Sequence, residues 1–234
     1  MKKSPIEIYN ARAALPDFCP LSDVPDYFIK SLLSAEDALF FEHRGINYSA
    51  VKRAVCDFLK GGTMSGGSSI TQQLVKNLYF SFERSWLRKL KEAVLTKKFE
   101  HSLSKEQILE LYINIVYFDN GQYGIFDASR FYFGKKPSEL SLNQSLFLAF
   151  LLPVVGIYNP LYHPKEYAAF RKKKMIRLAK SGVLPEFMLR EAEKHGADHL
   201  DDELRGATAD TDRYDKLGPL INERFGPKMS DSLI

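Results

Sequence analysis

Apolar residues recur every three or four positions along most of the chain, and runs of strict alternation are few. This is the spacing of helices that bury one face. It predicts one helix in "DYFIKSLLSAEDALFFE", with Phe28 and Leu32 on or near one face, and another in "SAVKRAVCDFLKGG", with Val51 and Ala54 on one stripe. The same spacing predicts further helices in "ITQQLVKNLYF", "SWLRKLKEAVLTKKFEHSL", "SKEQILELYINIVYF", "SLNQSLFLAFLLP" and "RKKKMIRLAKSG". The sequence therefore predicts a mostly α fold.

Proline and charge divide the chain into three segments. Residues 1–30 contain four prolines and are predicted to be irregular. Residues 31–185 hold the helical patterns and are predicted to form the main domain. Residues 186–234 are predicted to be an acidic extension with one or two short surface helices.

Positive charge is concentrated in the first 189 residues. From position 190 onward there are 7 Lys and Arg against 11 Asp and Glu, so the preceding part carries +8 of a chain total of +4. Such a balance favours an anionic partner: a phosphate, a nucleic acid or an acidic membrane surface. The sequence contains no helix-turn-helix, RNA-recognition or zinc-finger signature, so a nucleic acid is not expected.

Several other classes of protein are excluded by what the chain lacks. Two cysteines, Cys19 and Cys56, are too few for a disulfide framework. The first residues have no apolar core of a signal peptide, and no run reaches the roughly 18 apolar residues of a membrane span. Any membrane contact by these residues is therefore expected to be peripheral.

Two acids, Glu36 and Asp37, stand beside the aromatic residues Phe40 and Phe41 in "SAEDALFFEHRGIN". Burying a carboxylate is costly unless it is paired. Either the acids point to water from a helix edge, or one of them is held in an apolar wall and works as a base.

Neutral polar groups and cations follow in the next stretch of sequence. "GGTMSGGSSITQQ" is not a nucleotide-binding loop, because no Gly-Lys-Ser/Thr ends it. It supplies a row of hydroxyl and amide side chains that could bind sugar hydroxyls or phosphate oxygens, or could simply begin a helix: Ser68, Ser69, Thr71, Gln72 and Gln73. Lysines and arginines come next, at Lys76, Arg84, Arg88, Lys89 and Lys91. Glu92 lies among them, either as a helix-surface ion pair or as an acid that orders cations around a diphosphate or shares a divalent metal with it.

Five motifs occur in order with short gaps: "EDALFFEHRG", "GGSSITQQLVKN", "RKLKE", "KEQILELYIN" and "LLPVVGIYNP". Together they resemble the glycosyltransferase family 51 domain of class A penicillin-binding proteins and of monofunctional biosynthetic transglycosylases. The similarity runs from about Ser31 to Lys180 and is nearest to the monofunctional type. It implies a lysozyme-like, two-lobed α domain whose smaller apolar jaw, about 49–67, faces the membrane.

The resemblance also implies a reaction: the polymerisation of lipid II into glycan strands at the outer, periplasmic face of the bacterial membrane. A base must remove the proton of the acceptor hydroxyl as it attacks, whereas the diphosphate leaving group needs only charge stabilisation. The implied partners are lipid II, the growing strand, the membrane and other cell-wall synthesis proteins. A Mg²⁺ or Mn²⁺ ion on the diphosphate near Glu92 is a possible cofactor. The membrane anchor typical of the family is absent from this chain.

Site roles follow from motif position. Glu36 is implied as the base, with Phe40 one helical turn on as its shield, and Glu92 as the second functional acid. Asp37 would be structural or a helper at the substrate site, and His43 and Gly45 would shape the next turn. The phosphate contacts would come from Lys76, Arg84, Arg88 and Lys89, and the contacts to sugar or phosphate oxygens from Ser68, Gln72, Gln73 and Asn77.

The sequence departs from the family pattern at two places, and other functions remain open. Ser69 replaces the usual Thr, and Asn143-Gln144 stands where an acid is often found, which puts a local ion pair in doubt. A cell-wall hydrolase of lysozyme type is one alternative, although it would not need cations around Glu92. A non-catalytic wall-binding protein is another, although the presence of both acids argues against it.

Overall fold

The computed structural model describes residues 3–61, 67–80 and 86–180, together with 182 and 190. Three predictions therefore fall wholly or partly outside the described residues: the role of Arg84, the loop part of the jaw at 62–66, and the acidic extension apart from Arg190.

The described residues are mostly helical, and they contain no β-strand beyond an isolated bridge between Tyr117 and Tyr123. This confirms the predicted α class. The α-helices are α1 (Pro5–Ala13), α2 (Asp26–Glu36), α3 (Tyr48–Leu59), α4 (Ile70–Tyr79), α5 (Trp86–Ser102), α6 (Lys105–Ile115), α7 (Ile125–Phe133), α8 (Leu142–Leu151) and α9 (Pro164–Lys180). In the part of the chain that the structure describes, no helix combines the length and the apolar character needed to cross a bilayer.

The N-terminal segment is not irregular throughout, and that expectation was wrong for α1. Ser4 caps the helix in a capping box with Glu7, and Pro5 occupies a first-turn position, where its missing N–H would have no helical partner. The helix is then tied to α6, because buried Arg12 donates to the carbonyl of Asn114 and the hydroxyl of Tyr9 donates to a Glu110 carboxylate oxygen. Pro5, which was interpreted as part of an irregular segment, is the first residue of a helix.

Helix α2 ends at Glu36, six residues before the end of the pattern that predicted it. The side chain of Asp37 accepts hydrogen bonds from groups outside α2, including the backbone N–H of Ile70. The backbone then makes a turn in which the N–H of Phe40 donates to the carbonyl of Asp37. The competing hydrogen bonds of an aspartate explain the early end.

The described chain divides into two compact units. Unit 1 comprises residues 3–18 and 36–115, and in it α4 packs against both α5 and α6. The contact face of α4 is apolar and buried, at Ile70, Leu74, Val75 and Leu78. Helix α4 is therefore held on two sides, which makes it a rigid base for the polar residues on its remaining face.

Unit 2 comprises residues 19–35 and 116–180. Its apolar helix α8 is buried, and Leu146 and Phe150 pack against Met175 and Leu178 of α9. The candidate site residues that the structure describes belong to unit 1.

Candidate active site

Glu36 is half-buried at the C-terminus of α2 and binds a side chain of α4. Its Oε2 accepts a hydrogen bond of 2.6 Å from Nε2 of Gln73. The Oε1 of the same amide accepts a hydrogen bond of 3.0 Å from the hydroxyl of Tyr112 on α6. Tyr112 is fully buried, and burial together with the negative charge of Glu36 raises its pKa well above the usual value. The phenol is therefore neutral at working pH and can serve as a donor.

Asp37 binds a different set of groups from Glu36, in a buried network. Its Oδ2 accepts from His43 Nε2 at 2.8 Å and from the backbone N–H of Ile70 at 3.2 Å, and its Oδ1 accepts from Asn47 Nδ2 at 3.1 Å. Because its side chain is 1% exposed and both oxygens bind protein groups, the structure favours the structural role for Asp37 over substrate contact.

The turn after Asp37 depends on Gly45. Its φ is +87°, and an added Cβ would lie 2.6 Å from Cγ2 of Thr96 and 2.9 Å from Cγ of Glu100. Its backbone N–H donates to Nδ1 of His43, which leaves Nε2 of that ring to donate to Asp37. His43 and Gly45 thus shape this turn, as expected.

Phe40 does not lie one helical turn beyond Glu36, because α2 has already ended. That part of the prediction was wrong. Phe40 is buried, its ring packs edge-on against Phe41 and His43, and the ammonium of Lys105 lies 4.3 Å from the ring centroid. Its observed contacts therefore fix the turn.

The row of polar residues at the start of α4 divides between two tasks. Ser69 and Gln72 form a capping box, in which each side chain binds the backbone N–H of the other. Thr71 is buried and donates to Glu100. For these three residues the interpretation as a polar helix start holds, whereas Gln73, on the next position, reaches Glu36.

Glu92 is 1% exposed and is bound by two cations of its own helix. Its Oε1 lies 2.7 Å from Nζ of Lys89, and its Oε2 lies 3.2 Å from Nη1 of Arg88. Lys89 also donates to Oγ of Ser68 at 3.1 Å. A buried carboxylate persists only when it is paired in this way, so Glu92 organises the cations instead of lying on a solvated face.

Lys76 interacts electrostatically with both acids. It lies one turn of α4 beyond Gln73, and burial lowers its pKa, with the positive charges of Arg88 and Lys89 adding to that effect. The negative charges of Glu92 and Glu36 oppose the shift, so Lys76 lies within electrostatic reach of both. The predicted base and the predicted cations of α5 are therefore both within electrostatic range of Lys76 on α4. Asn77 is exposed at the next position.

The acids near this cluster do not form a preformed metal centre. Within the described ranges no three His, Cys, Asp or Glu side chains are grouped as metal ligands. Both oxygens of Glu92 already bind cationic side chains. In this arrangement a divalent ion would need its ligands from a bound diphosphate.

This site combines a carboxylate oriented by an amide with a second carboxylate that gathers cations. It is suited to a substrate that has both a hydroxyl to deprotonate and an anionic leaving group.

Comparison with known proteins identifies the family. A family model described as "Transglycosylase" matches residues 4–180. Penicillin-binding protein 1A of Aquifex aeolicus is 36% identical over 187 residues, which is 76% of this chain and 26% of that protein. Penicillin-binding protein 1A of Pseudomonas aeruginosa is 40% identical over 164 residues, covering 70% of this chain and 20% of that protein. Penicillin-binding protein 4 of Bacillus subtilis is 34% identical over 215 residues, covering 91% and 33%.

The chain belongs to the transglycosylase family, the glycosyltransferase family 51 domain. Its helical architecture is consistent with the lysozyme-like fold of that domain. The chain spans about a quarter of the length of the first relatives it matches. The matched region begins at residue 4 and therefore includes α1.

Proposed function

We propose that this chain is a peptidoglycan glycosyltransferase that polymerises lipid II into glycan strands. Glu36 takes the proton of the acceptor 4-hydroxyl while that oxygen forms a bond to the anomeric carbon of the donor sugar. The bond from that carbon to the diphosphate breaks at the same time, and the polyprenyl diphosphate leaves as an anion. A single displacement of this kind inverts the anomeric centre.

The observation that carries the proposal is the position of Gln73 and Lys76, both half-buried and one helical turn apart on α4. Gln73 binds Glu36, and Lys76 lies within electrostatic reach of both Glu36 and the Glu92 cluster. A diphosphate leaving group requires cations next to the reacting carbon, and this arrangement supplies them. Arg88, Lys89 and Lys76 would bind the phosphates, and Ser68, Gln73 and Asn77 would bind sugar or phosphate oxygens.

A divalent cation has no step in this proposal. Mg²⁺ or Mn²⁺ bound to the substrate diphosphate stays a prediction of the resemblance, and so do contacts with other cell-wall synthesis proteins. The outer membrane face is proposed as the location because the substrate is lipid-linked and the surface of unit 1 exposes apolar side chains beside cations on α3 and α5.

The test is an incubation of the purified chain with lipid II in detergent or vesicles, followed by separation of glycan polymer from substrate. We expect polymer from the wild-type protein and a loss of at least about 100-fold for Glu36→Gln, the scale on which general bases contribute. Thermal unfolding of the variant should stay close to wild type.

A hydrolase is the competing function from the same fold class. Digestion of uncrosslinked glycan strands by the wild-type protein, without polymer formation from lipid II, would overturn the proposal. Normal polymer formation by Glu36→Gln would instead keep the activity and remove Glu36 as its base.

A further inference from the structure

Tyr112 is a buried polar group that the proposed mechanism does not use. It lies on α6, it is fully buried, and its hydroxyl donates to Oε1 of Gln73. A buried phenol needs a hydrogen-bond partner, and Tyr112 has the amide that also binds Glu36.

The chemistry of the three groups fixes the direction of each hydrogen bond. An ionised carboxylate only accepts, so Gln73 must present its NH₂ group to Glu36. The Oε1 of Gln73 then faces Tyr112, which donates to it. The flipped amide would place Oε1 at 2.6 Å from a carboxylate oxygen, the distance that Nε2 now occupies.

We propose that Tyr112 is a positioning residue of the active site: by donating to Oε1 of Gln73 it fixes the amide so that Nε2 donates to Glu36. This role rests on the proposed function of Glu36 as the base. A hydrogen bond donated to a carboxylate favours its ionised form, which is the form that accepts a proton. Tyr112 therefore acts on the base through Gln73, without touching substrate.

Other charged groups near Glu36 do not explain the same effect. Among the residues that the structure describes, Lys76 of α4 and Tyr112 of α6 interact electrostatically with it. Helix α5 contributes Glu92, Arg88 and Lys89, which act on Lys76. Replacing only the hydroxyl of Tyr112 leaves all of these charges in place, so a change in the titration of Glu36 would report on the amide.

The experiment compares Tyr112→Phe with wild type in the pH profile of kcat/KM for polymer formation. We expect the acid limb to move to higher pH by ~0.5–1 unit, which is less than the roughly 1–2 units of a whole hydrogen bond to a charged group, because the amide loses its orientation but stays in place. The titration of Glu36 is also followed directly, by NMR of protein labelled with ¹³C at the glutamate carboxyl and assigned with Glu36→Gln. Its midpoint should move by the same amount.

Tyr132→Phe is the matched control. Tyr132 is another buried tyrosine, and it donates to the carbonyl of Phe118 within unit 2. Its loss should lower stability without moving the acid limb. Should Tyr112→Phe fail to fold, Gln73→Leu replaces it, because removing the amide must raise the titration midpoint of Glu36 as well.

The outcomes separate this inference from the proposed function. An unmoved titration of Glu36 in Tyr112→Phe, or in Gln73→Leu where that variant is used, overturns the positioning role whatever the activity. If Glu36→Gln still polymerises lipid II, Glu36 is not the base, but the NMR midpoint still decides whether Tyr112 fixes the amide.

Discussion

At the scale of single residues, the unusual feature is a glutamate that is 1% exposed yet bound to two cations that reach solvent. The side chains of Arg88 and Lys89 are 20% and 45% exposed, so their charges are partly screened and partly available to a ligand. The single negative charge of Glu92 does not neutralise this cluster, because Arg88, Lys89 and the nearby Lys76 supply three positive charges. Such an arrangement fits a preorganised anion site better than a stabilising ion pair.

Replacing Glu92 by Gln tests this distinction. We expect kcat/KM for polymer formation to fall about 100-fold or more, because the cations lose the charge that orients them. Stability should fall by about 1.5–3 kcal/mol, the range for hydrogen bonds to charged groups. Asp26→Asn is the control, since it breaks the exposed pair with Lys30 and should change neither quantity by much. If Glu92→Gln keeps full activity and loses only stability, Glu92 has a structural role and does not organise the anion site.

At the scale of secondary-structure elements, the orientation of α4 determines the site. Its N-terminus is held by the Ser69–Gln72 capping box, by Asp37 on the N–H of Ile70, and by Thr71 on Glu100 of α5. The residues that make these contacts from the α4 side, Ser69 to Gln72, lie one to four positions before Gln73. A change in the cap should therefore reach Gln73 and Lys76 without touching either.

Ser69→Ala should show this coupling. Loss of an N-cap hydroxyl costs about 1 kcal/mol of stability. We expect kcat/KM for polymer formation to fall several-fold, which is more than the small loss of folded protein would explain. Ser141→Ala removes the equivalent cap of α8, in unit 2, and should cost similar stability with little change in kcat/KM. Ser69→Thr keeps the capping oxygen and should retain activity. Equal losses of activity in both alanine variants would argue against a special role for the α4 cap.

Helical periodicity predicted most of these elements, and its failures have local causes. It missed α1 because prolines were read as breakers, although Pro5 sits where the helix needs no N–H. It extended α2 beyond Glu36 because an apolar pattern cannot show that Asp37 binds the start of α4. It could not separate Gln72, which caps its own helix, from Gln73, which reaches Glu36. It did not single out Tyr112, because a buried core tyrosine and a positioning tyrosine share one sequence pattern.

At the scale of the whole molecule, the described surface of unit 1 contains exposed apolar side chains that are not packed in its hydrophobic core. On α5, Leu87, Leu90 and Val94 are 66–70% exposed at helical spacing, on the side of the helix away from Glu92. On α3, Leu59 is 77% exposed, and Lys52 and Arg53 lie on the same helix. Apolar side chains beside lysine and arginine are typical of helices that lie in a membrane interface. Single exposed leucines are ordinary, but a stripe of three on one helix is less so.

Vesicle binding tests whether this surface meets lipid. We expect affinity to rise with the fraction of anionic lipid and to weaken as salt is raised, because the cations contribute through screened attraction. Leu90→Ser should lower affinity by about tenfold or more, since a buried leucine contributes about 1.5–3 kcal/mol and about 1.4 kcal/mol is tenfold. Ile157→Ser is the matched control, because Ile157 is 62% exposed but belongs to unit 2. Equal losses in the two variants would mean that the α5 stripe makes no specific contact. Binding that does not depend on lipid charge would mean that the basic residues of this surface do not contribute to membrane binding.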